Sequence, residues 1–214
     1  LKLDSTGAFK HVGFLGNAFC TDFDITSNQR VVIGGNIATN PRNAMVAKFL
    51  ANGQINGYEV KKFNGSKNNR DQITAVCIDD DDNIYFAGKC NGSSISINGL
   101  NTTVSGPNDI NKYTLFLGKI SSTNWASWLK GAVPIPGNRP YRFDIKEMQY
   151  HNNHKAIVMA GLFRGTNYKI DGDTFAIKFT VNSDTRKSII IINDSKGKYT
   201  YNTNLGYDLE KTKE

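Results

Sequence analysis

The chain has 214 residues, with 26 Lys and Arg against 19 Asp and Glu, a formal net charge of +7 and 39% hydrophobic residues. This apolar content is enough for a folded core. No apolar run approaches the ~20 residues that a membrane-spanning helix needs, which excludes a helical span in this sequence.

The first elements in chain order are two short strands, predicted at about residues 1–3 and 8–15. A fuller unit begins near residue 18 and contains the phrase VVIGGN, which returns later as IYFAGKC and IVMAGLF. Each copy follows a polar turn and contains a glycine near its end. A strand-turn-strand phrase that recurs predicts a repeat protein.

The first two copies of this phrase can be aligned without a gap. Gly35 and Gly88 lie 53 positions apart, and over that offset Ile25 aligns with Ile78. Gly161 closes the third copy, 73 positions further on. The spacing therefore predicts three units that begin near residues 18, 71 and 139.

A second phrase lies between the copies and is aligned on Lys2, Lys48, Lys119 and Lys178. Together the two phrases predict four short strands per unit, because each run has the length and the β-branched and aromatic composition of a strand. No stretch shows sustained helical spacing with caps, so we expect little helix.

The segment from Asn91 to Asn111 is rich in Gly, Ser, Asn and Thr and is predicted to be a long loop. It contains Asn91 and Asn101, each in an N-x-S/T triplet, as candidate contact or glycan-bearing residues. The two tryptophans, Trp125 and Trp128, lie three residues apart, so a strand would place them on opposite faces. One would pack in the core, and the other could stack on a sugar ring or anchor a protein.

Four consecutive aspartates, Asp79 to Asp82, form the next turn. Asp79 and Asp81 are candidate ligands for a hard cation such as calcium. The aligned turns at 26–30 and 151–156 carry no such acids, so we interpret the run as a solvated hairpin turn and predict no metal. Asp24 and Asp144 fall on the first strand of their units, where carboxylates could do chemistry or line a channel.

Basic residues recur in each predicted outermost strand: Lys10, Lys61, Lys62, Lys130, Arg186 and Lys187. Charges on an edge strand discourage edge-to-edge pairing, so this distribution argues against a nucleic-acid partner. Of the three cysteines, Cys20 and Cys77 are predicted to be small buried apolar residues.

The strings IDDDDNIYFAGKCNGSSISINGL and NKYTLFLGKISSTNWASWLKGA resemble the seven-bladed β-propeller repeat family. The resemblance is carried by Asp79, Asn83, Tyr85, Gly88, Gly92, Ser93, Phe116, Lys119, Trp128 and Lys130, and in the next copy by Gly161, Gly165, Thr166, Phe175 and Lys178. It implies an all-β chain built of propeller blades, each with four antiparallel strands. The family shares no catalytic residues that could be carried over.

By this resemblance residues 1–192 form about three and a half blades: a half blade at 1–17 and blades at 18–70, 71–138 and 139–192. Residues 193–214 form a polar tail that is a candidate closing strand. Since propellers close with four to eight blades, this ring is incomplete. A longer polypeptide, another chain or the tail itself would complete it.

The sequence predicts a non-catalytic interaction or assembly module without a cofactor. Its partner would be a protein or the remaining propeller blades, and an extracellular, cell-surface or virion-surface location is favoured. One alternative is a glycan-binding surface module on a cell, virus or phage particle. A second alternative is part of a propeller hydrolase or lyase.

Overall fold

The structure is a computed structural model. It describes residues 2–3, 6, 9–11, 16–38, 43–49, 58–65, 70–106, 113–123, 126–134, 142–164, 167–170, 176–178, 187–194 and 199–204. Over these residues the chain forms eighteen β-strands and one short 3-10 helix, with no α-helix. The prediction of an all-β chain with little helix is confirmed.

The strands in the first half of the chain are β1 (Lys2–Leu3), β2 (Phe9–His11), β3 (Ala18–Ile25), β4 (Val31–Ile37), β5 (Asn43–Phe49), β6 (Tyr58–Gly65), β7 (Gln72–Ile78), β8 (Ile84–Cys90), β9 (Ser94–Ile97) and β10 (Thr103–Ser105). Those in the second half are β11 (Thr114–Ile120), β12 (Ala126–Pro134), β13 (Arg142–His151), β14 (Ala156–Arg164), β15 (Asn167–Ile170), β16 (Ala176–Lys178), β17 (Lys187–Asp194) and β18 (Tyr199–Asn204). The 3-10 helix, Asn152–His154, joins β13 to β14.

These strands form one two-stranded sheet, β1-β2, and three larger antiparallel sheets. The first sheet has the order β10-β9-β6-β5-β4-β3, the second β16-β15-β12-β11-β8-β7, and the third β13-β14-β17-β18. In each larger sheet the strand that comes first in the chain, β3, β7 or β13, lies at an edge. We call these three the leading strands.

Two hairpins pair with a sheet that is formed mainly by earlier residues of the chain. The β9-β10 hairpin follows β8 of the second sheet but pairs with β6 of the first sheet, with Phe63 opposite Ile97. The β15-β16 hairpin follows β14 of the third sheet but pairs with β12 of the second. Each hairpin therefore connects two neighbouring sheets through backbone hydrogen bonds.

These hairpins correct one sequence-based prediction and bear on a second. The segment from Asn91 to Asn111 is not a continuous loop, because it contains β9 and β10. Lys61 and Lys62 on β6 and Lys130 on β12 lie on strands that a hairpin extends only in part, because β9 pairs with β6 at residues 63–65 and β15 pairs with β12 at residues 132–134. The three lysines lie outside these paired stretches, so the interpretation of their charges as protection of a strand edge stays a prediction.

The third sheet departs from the predicted alignment. Lys178 lies on β16 opposite Asn167, whereas the strand paired with β14 is β17, where Ile192 lies opposite Val158. The β15-β16 insertion displaces the expected phrase from the sheet. Strand β17 also crosses the predicted boundary between residues 192 and 193, and β18 extends the third sheet as its fourth strand.

All three leading strands carry a β-bulge at the same place in their first hairpin. The pairing shifts at Thr21 in β3, at Thr74 in β7 and at Lys146 in β13. The two threonine hydroxyls donate to equivalent carbonyls, Thr21 to Gly34 at 3.0 Å and Thr74 to Ala87 at 3.4 Å. Residues around these bulges can therefore be compared position by position.

Two apolar cores separate the three larger sheets. The first core lies between the first and second sheets and includes Val32 and Phe63 from one side and Val76 and Phe86 from the other. The second core lies between the second and third sheets and is made by these side chains: Ala75, Cys77, Tyr85, Ala87, Leu115, Leu117, Ile145, Met148, Ile157 and Met159. Because strand side chains alternate between faces, the second sheet contributes to both cores.

The first and second sheets approach most closely at Gly34. A Cβ atom at this position would lie 2.6 Å from Cγ2 of Ile73 and 2.7 Å from Cγ1 of Val76. These distances are shorter than any carbon-carbon contact in a packed interior. The absence of a side chain at Gly34 therefore allows the leading strand β7 to lie against the first sheet.

Candidate functional site

Three turns that follow the leading strands lie at one end of the stacked sheets. They are residues 26–30, 79–83 and 152–155, and we call them the turn rim. Each contains one non-glycine residue in the left-handed region, Gln29 at φ 62°, Asp82 at φ 60° and Lys155 at φ 46°. This shared conformation gives the three turns a common shape although their sequences differ.

Hydrogen bonds connect the turns of the rim to one another. The backbone N–H of Ser27 donates to Oδ1 of Asp82 at 2.8 Å, and Nδ2 of Asn152 donates to Oδ1 of Asp80 at 2.8 Å. The aspartate turn of the second sheet thus bridges the turns of the first and third sheets. The rim is a joined surface and not three independent loops.

Asp79 corrects the interpretation of the aspartate run as a solvated turn. It is only 8% exposed, and its carboxylate accepts hydrogen bonds from the backbone N–H of Asp81 and Asn83, from Nδ2 of Asn83 and from the Tyr85 hydroxyl, at 2.8–3.1 Å. Asp81 is exposed. The carboxylate of Asp79 is therefore occupied in holding the turn.

The two candidate calcium ligands, Asp79 and Asp81, thus differ in burial. Among the described residues, no group of three or more His, Cys, Asp or Glu side chains is arranged to hold a metal ion.

A pair of aspartates on β3 holds the leading strand of the next sheet. The Oδ2 atom of Asp22 accepts the backbone N–H of Val76 at 2.8 Å, and Oδ2 of Asp24 accepts the backbone N–H of Ile78 at 3.0 Å. These carboxylates satisfy donors on the open edge of β7. Asp24 was predicted as a channel or catalytic candidate, whereas Asp22 was not singled out.

The signal that would have identified Asp22 is the alternation in TDFDI, which places two carboxylates on the same face of an edge strand. Inward-pointing charged residues are one way to protect such an edge. For Asp144, the other predicted candidate, the structure describes the backbone position on β13, opposite Leu162.

Removing either carboxylate should expose one particular amide of β7 to solvent exchange. We expect Asp22→Ala to increase the hydrogen-exchange rate at Val76 about tenfold, since losing one such hydrogen bond costs roughly 1–2 kcal/mol. Asp24→Ala should do the same at Ile78. Each variant is the control for the other, and equal effects of both variants on both amides would contradict the assignment.

The four predicted binding residues lie in different environments. Trp128 on β12 is half-buried and packs against the second core, with its ring centroid 6.4 Å from that of Tyr85. Asn91 is buried, and its Oδ1 accepts the backbone N–H of Arg70 at 2.9 Å. Asn101 is exposed, and Trp125 lies outside the described residues. The structure does not bring Trp128, Asn91 and Asn101 together into one described site.

The cysteines are free thiols, and one of them differs from its prediction. Cys77 and Cys90 are buried, but Cys20 is exposed because the face of β3 that carries it is not covered. Burial raises the pKa of Cys90 to about 12. Burial, together with nearby aspartates, also raises the pKa of Cys77 well above its ordinary value.

Thiol labelling should distinguish the three cysteines. In the native protein we expect a disulfide reagent to label Cys20 alone and, after unfolding, Cys77 and Cys90 as well. Since desolvation raises the pKa of Cys20, its labelling should be slower at pH 8 than that of a free cysteine and should accelerate as the pH rises. Native labelling of more than one thiol would contradict the burial of the other two.

The same shifts predict a loss of stability in alkali. Because the folded pKa of Cys90, about 12, lies above the unfolded value, its stabilisation is complete below about pH 8.5 and is lost as the pH rises toward 12. Tyr85 acts in the same direction, since burial raises its pKa and the hydrogen bond to Asp79 adds to the shift.

No protein-family model matches the chain, and comparison with curated protein sequences finds no significant match. Within the part of the chain that the structure describes, no helix has the length and apolar character needed to cross a membrane.

Proposed function

We propose that the chain is a non-catalytic interaction and assembly module whose sheets are blades of the β-propeller type. The observation that carries this proposal is the joined turn rim, where Asp80 and Asp82 bond to the turns of both neighbouring sheets. Turns fixed in this way lose little conformational entropy when a partner binds. A rigid scaffold that presents loops at one end is a common arrangement for recognition.

The order of the strands supports the blade interpretation. Each leading strand is an edge, β7 lies beside β3 through the bonds from Asp22 and Asp24, and successive sheets pack face to face through two apolar cores. Antiparallel sheets that repeat along the chain and pack on one another are also the building plan of a propeller.

The hydrogen bonds that the aspartate carboxylates accept support a non-catalytic role. Asp22, Asp24 and Asp79 each accept hydrogen bonds from backbone N–H groups. A carboxylate committed to structural donors is a poor general base, because the proton acceptor must be within reach of a substrate.

The test uses photo-crosslinking residues in the full chain, placed one at a time at Ser27, Asp81 and Asn153 on the turn rim. Matched control positions are Ser96 and Ser105 on the β9-β10 hairpin. We expect crosslinks to a protein partner, in extract of the producing organism, from rim positions and not from hairpin positions. Crosslinks from the hairpin alone would contradict the proposal.

Two further outcomes would replace the proposal by an alternative. Binding to a glycan array that is lost in Trp128→Ala, with the fold preserved, would establish the glycan-binding module. Turnover of a polysaccharide that is lost in Asp24→Asn would establish a hydrolase or lyase.

A further inference from the structure

The first sheet leaves an apolar face exposed on its leading strand. Phe23 is 62% exposed and Ile25 is 54% exposed, on a strand where the neighbouring aspartates are half-buried. We call this surface, with the half-buried Ile33 of β4 and the exposed Cys20, the leading face. Large apolar side chains clustered on one face of a sheet mark an interaction surface.

The bulges identify the residues that correspond to Phe23 in the other sheets. Counted from the bulge, they are Val76 in β7 and Met148 in β13. Val76 is 3% exposed and Met148 is 4% exposed, each in the core shared with the preceding sheet. The leading face of the first sheet is thus the equivalent surface, but among the described residues none of the three larger sheets packs against it.

The residues of the first sheet that pack against β7 around Val76 are of two kinds. Asp22 and Asp24, on alternate positions of β3, are hydrogen-bond acceptors, and Val32 and Gly34 on the adjacent strand are an apolar and a small residue. The acceptors bind backbone N–H groups of β7, and the small residue allows the close approach.

The third sheet presents a related arrangement on the face turned away from the second sheet, with alanine at the position of Gly34, as Ala87 is in the second sheet. The bulge register places Glu147 and Gln149 of β13 at the positions of Asp22 and Asp24, and Val158 and Ala160 of β14 at those of Val32 and Gly34. Glu147 and Gln149 are exposed, and Val158 and Ala160 are half-buried. We call these four residues the trailing face.

We infer that the leading face binds the trailing face of a second copy of this chain. Phe23 and Ile25 of one copy would pack on Val158 and Ala160 of the other. The backbone N–H groups of Phe23 and Ile25 already donate to Oδ1 of Asp22 and Asp24 of their own chain, at 2.8 and 2.7 Å, so apolar packing carries this contact. The contact is head to tail, so a pair of copies has one leading face and one trailing face left for a further copy or for ring closure. This inference rests on the assembly role in the proposed function and adds a contact surface that is separate from the turn rim.

The first test uses two variants that each remove one face: Phe23→Asp on the leading face and Val158→Lys on the trailing face. By sedimentation velocity at ~100 μM, above the micromolar Kd that a modest interface reaches, the unaltered chain should associate and each variant alone should be monomeric. An equimolar mixture should form a heterodimer and nothing larger, because only one intact interface remains.

A chain that stays monomeric at this concentration overturns the inference, and so does continued self-association of Val158→Lys alone. In either case crosslinks from the turn rim would still test the proposed function separately. Circular dichroism of both variants checks that each is folded.

The second test traps the contact as a disulfide. At the equivalent contact between the first and second sheets, a Cβ built on Gly34 lies 3.3 Å from Cβ of Ile73, close to the ~3.5–4.5 Å of a disulfide. Cys20 holds the position of Ile73 on the leading face, and Ala160 holds that of Gly34 on the trailing face.

Oxidised Ala160→Cys should therefore form covalent dimers and larger head-to-tail oligomers through Cys20, whereas the double variant Cys20→Ser, Ala160→Cys should form neither. A disulfide within a single chain would overturn the inference, because the two faces would then meet in one copy.

Discussion

Replacing Phe86 with alanine should lower the free energy of unfolding by about 3–5 kcal/mol, the range for removing a fully buried aromatic ring. Phe86 has no exposed surface, and its ring centroid lies 5.1 Å from that of Phe63 in the first sheet and 6.4 Å from that of Phe116 in the second. The variant removes one of three aromatic rings that pack together and weakens the contact between two sheets.

The loss of unfolding free energy should lie near the upper end of this range, because neighbouring side chains cannot fill the cavity that the missing ring leaves. The Phe86 ring packs directly over Gly118, where even a Cβ would contact its Cζ atom. Since Gly118 has no side chain to move into the cavity, collapse would require a shift of the backbone.

A matched control for Phe86→Ala exists at the equivalent position of the first sheet. Ile33 aligns with Phe86 over the 53-residue offset, but it is half-buried and lies on the uncovered leading face. Ile33→Ala should cost only about 1 kcal/mol, because less apolar surface is lost from a covered site. Urea unfolding measures both values, and equal losses would contradict the assignment of Phe86 to the first core.

The hairpins of the leading strands could be predicted from the sequence because their signals are local. Ile25 pairs with Val31 and Ile78 pairs with Ile84, in agreement with the gap-free alignment. β-Branched residues on either side of a short polar turn specify such a register.

The β9-β10 hairpin could not be predicted because its stability comes from a distant strand. Its segments, SISI and TVS, are short and polar, and they read locally as part of a loop. They are strands because Ile95 and Ile97 enter the first core and pair with β6, about 30 residues earlier in the chain. Local composition carries no information on that pairing.

The shape of the turn rim could not be predicted from the sequence either. The left-handed positions are held by Gln29, Asp82 and Lys155, three residue types with no common preference for that conformation. Within the aspartate run, identical residues have opposite roles because Asp79 follows directly on a buried strand while Asp81 lies at the tip of the turn. Position relative to the strand, and not residue type, decides which carboxylate is structural.

Removing the carboxylate of Asp79 should therefore destabilise the protein by about 2–4 kcal/mol, since it leaves one buried hydroxyl and several half-buried N–H donors without an acceptor. The Asp79→Ala variant loses acceptors for the backbone N–H groups of Asp81 and Asn83 and for the Tyr85 hydroxyl. Asp81→Ala is the control within the same run, and its unfolding free energy should be unchanged. If both variants were equally stable, the turn would not depend on Asp79.

A double-mutant cycle separates the hydroxyl of Tyr85 from the rest of this network. Tyr85 has no exposed surface, and its hydroxyl donates to Oδ2 of Asp79 at 3.0 Å. In Asp79→Ala that hydroxyl stays buried, so adding Tyr85→Phe should cost about 1 kcal/mol less than it does in the unaltered chain. Additive losses would mean that the two groups do not interact, and the stability of the rim would then rest on the backbone bonds of Asp79 alone.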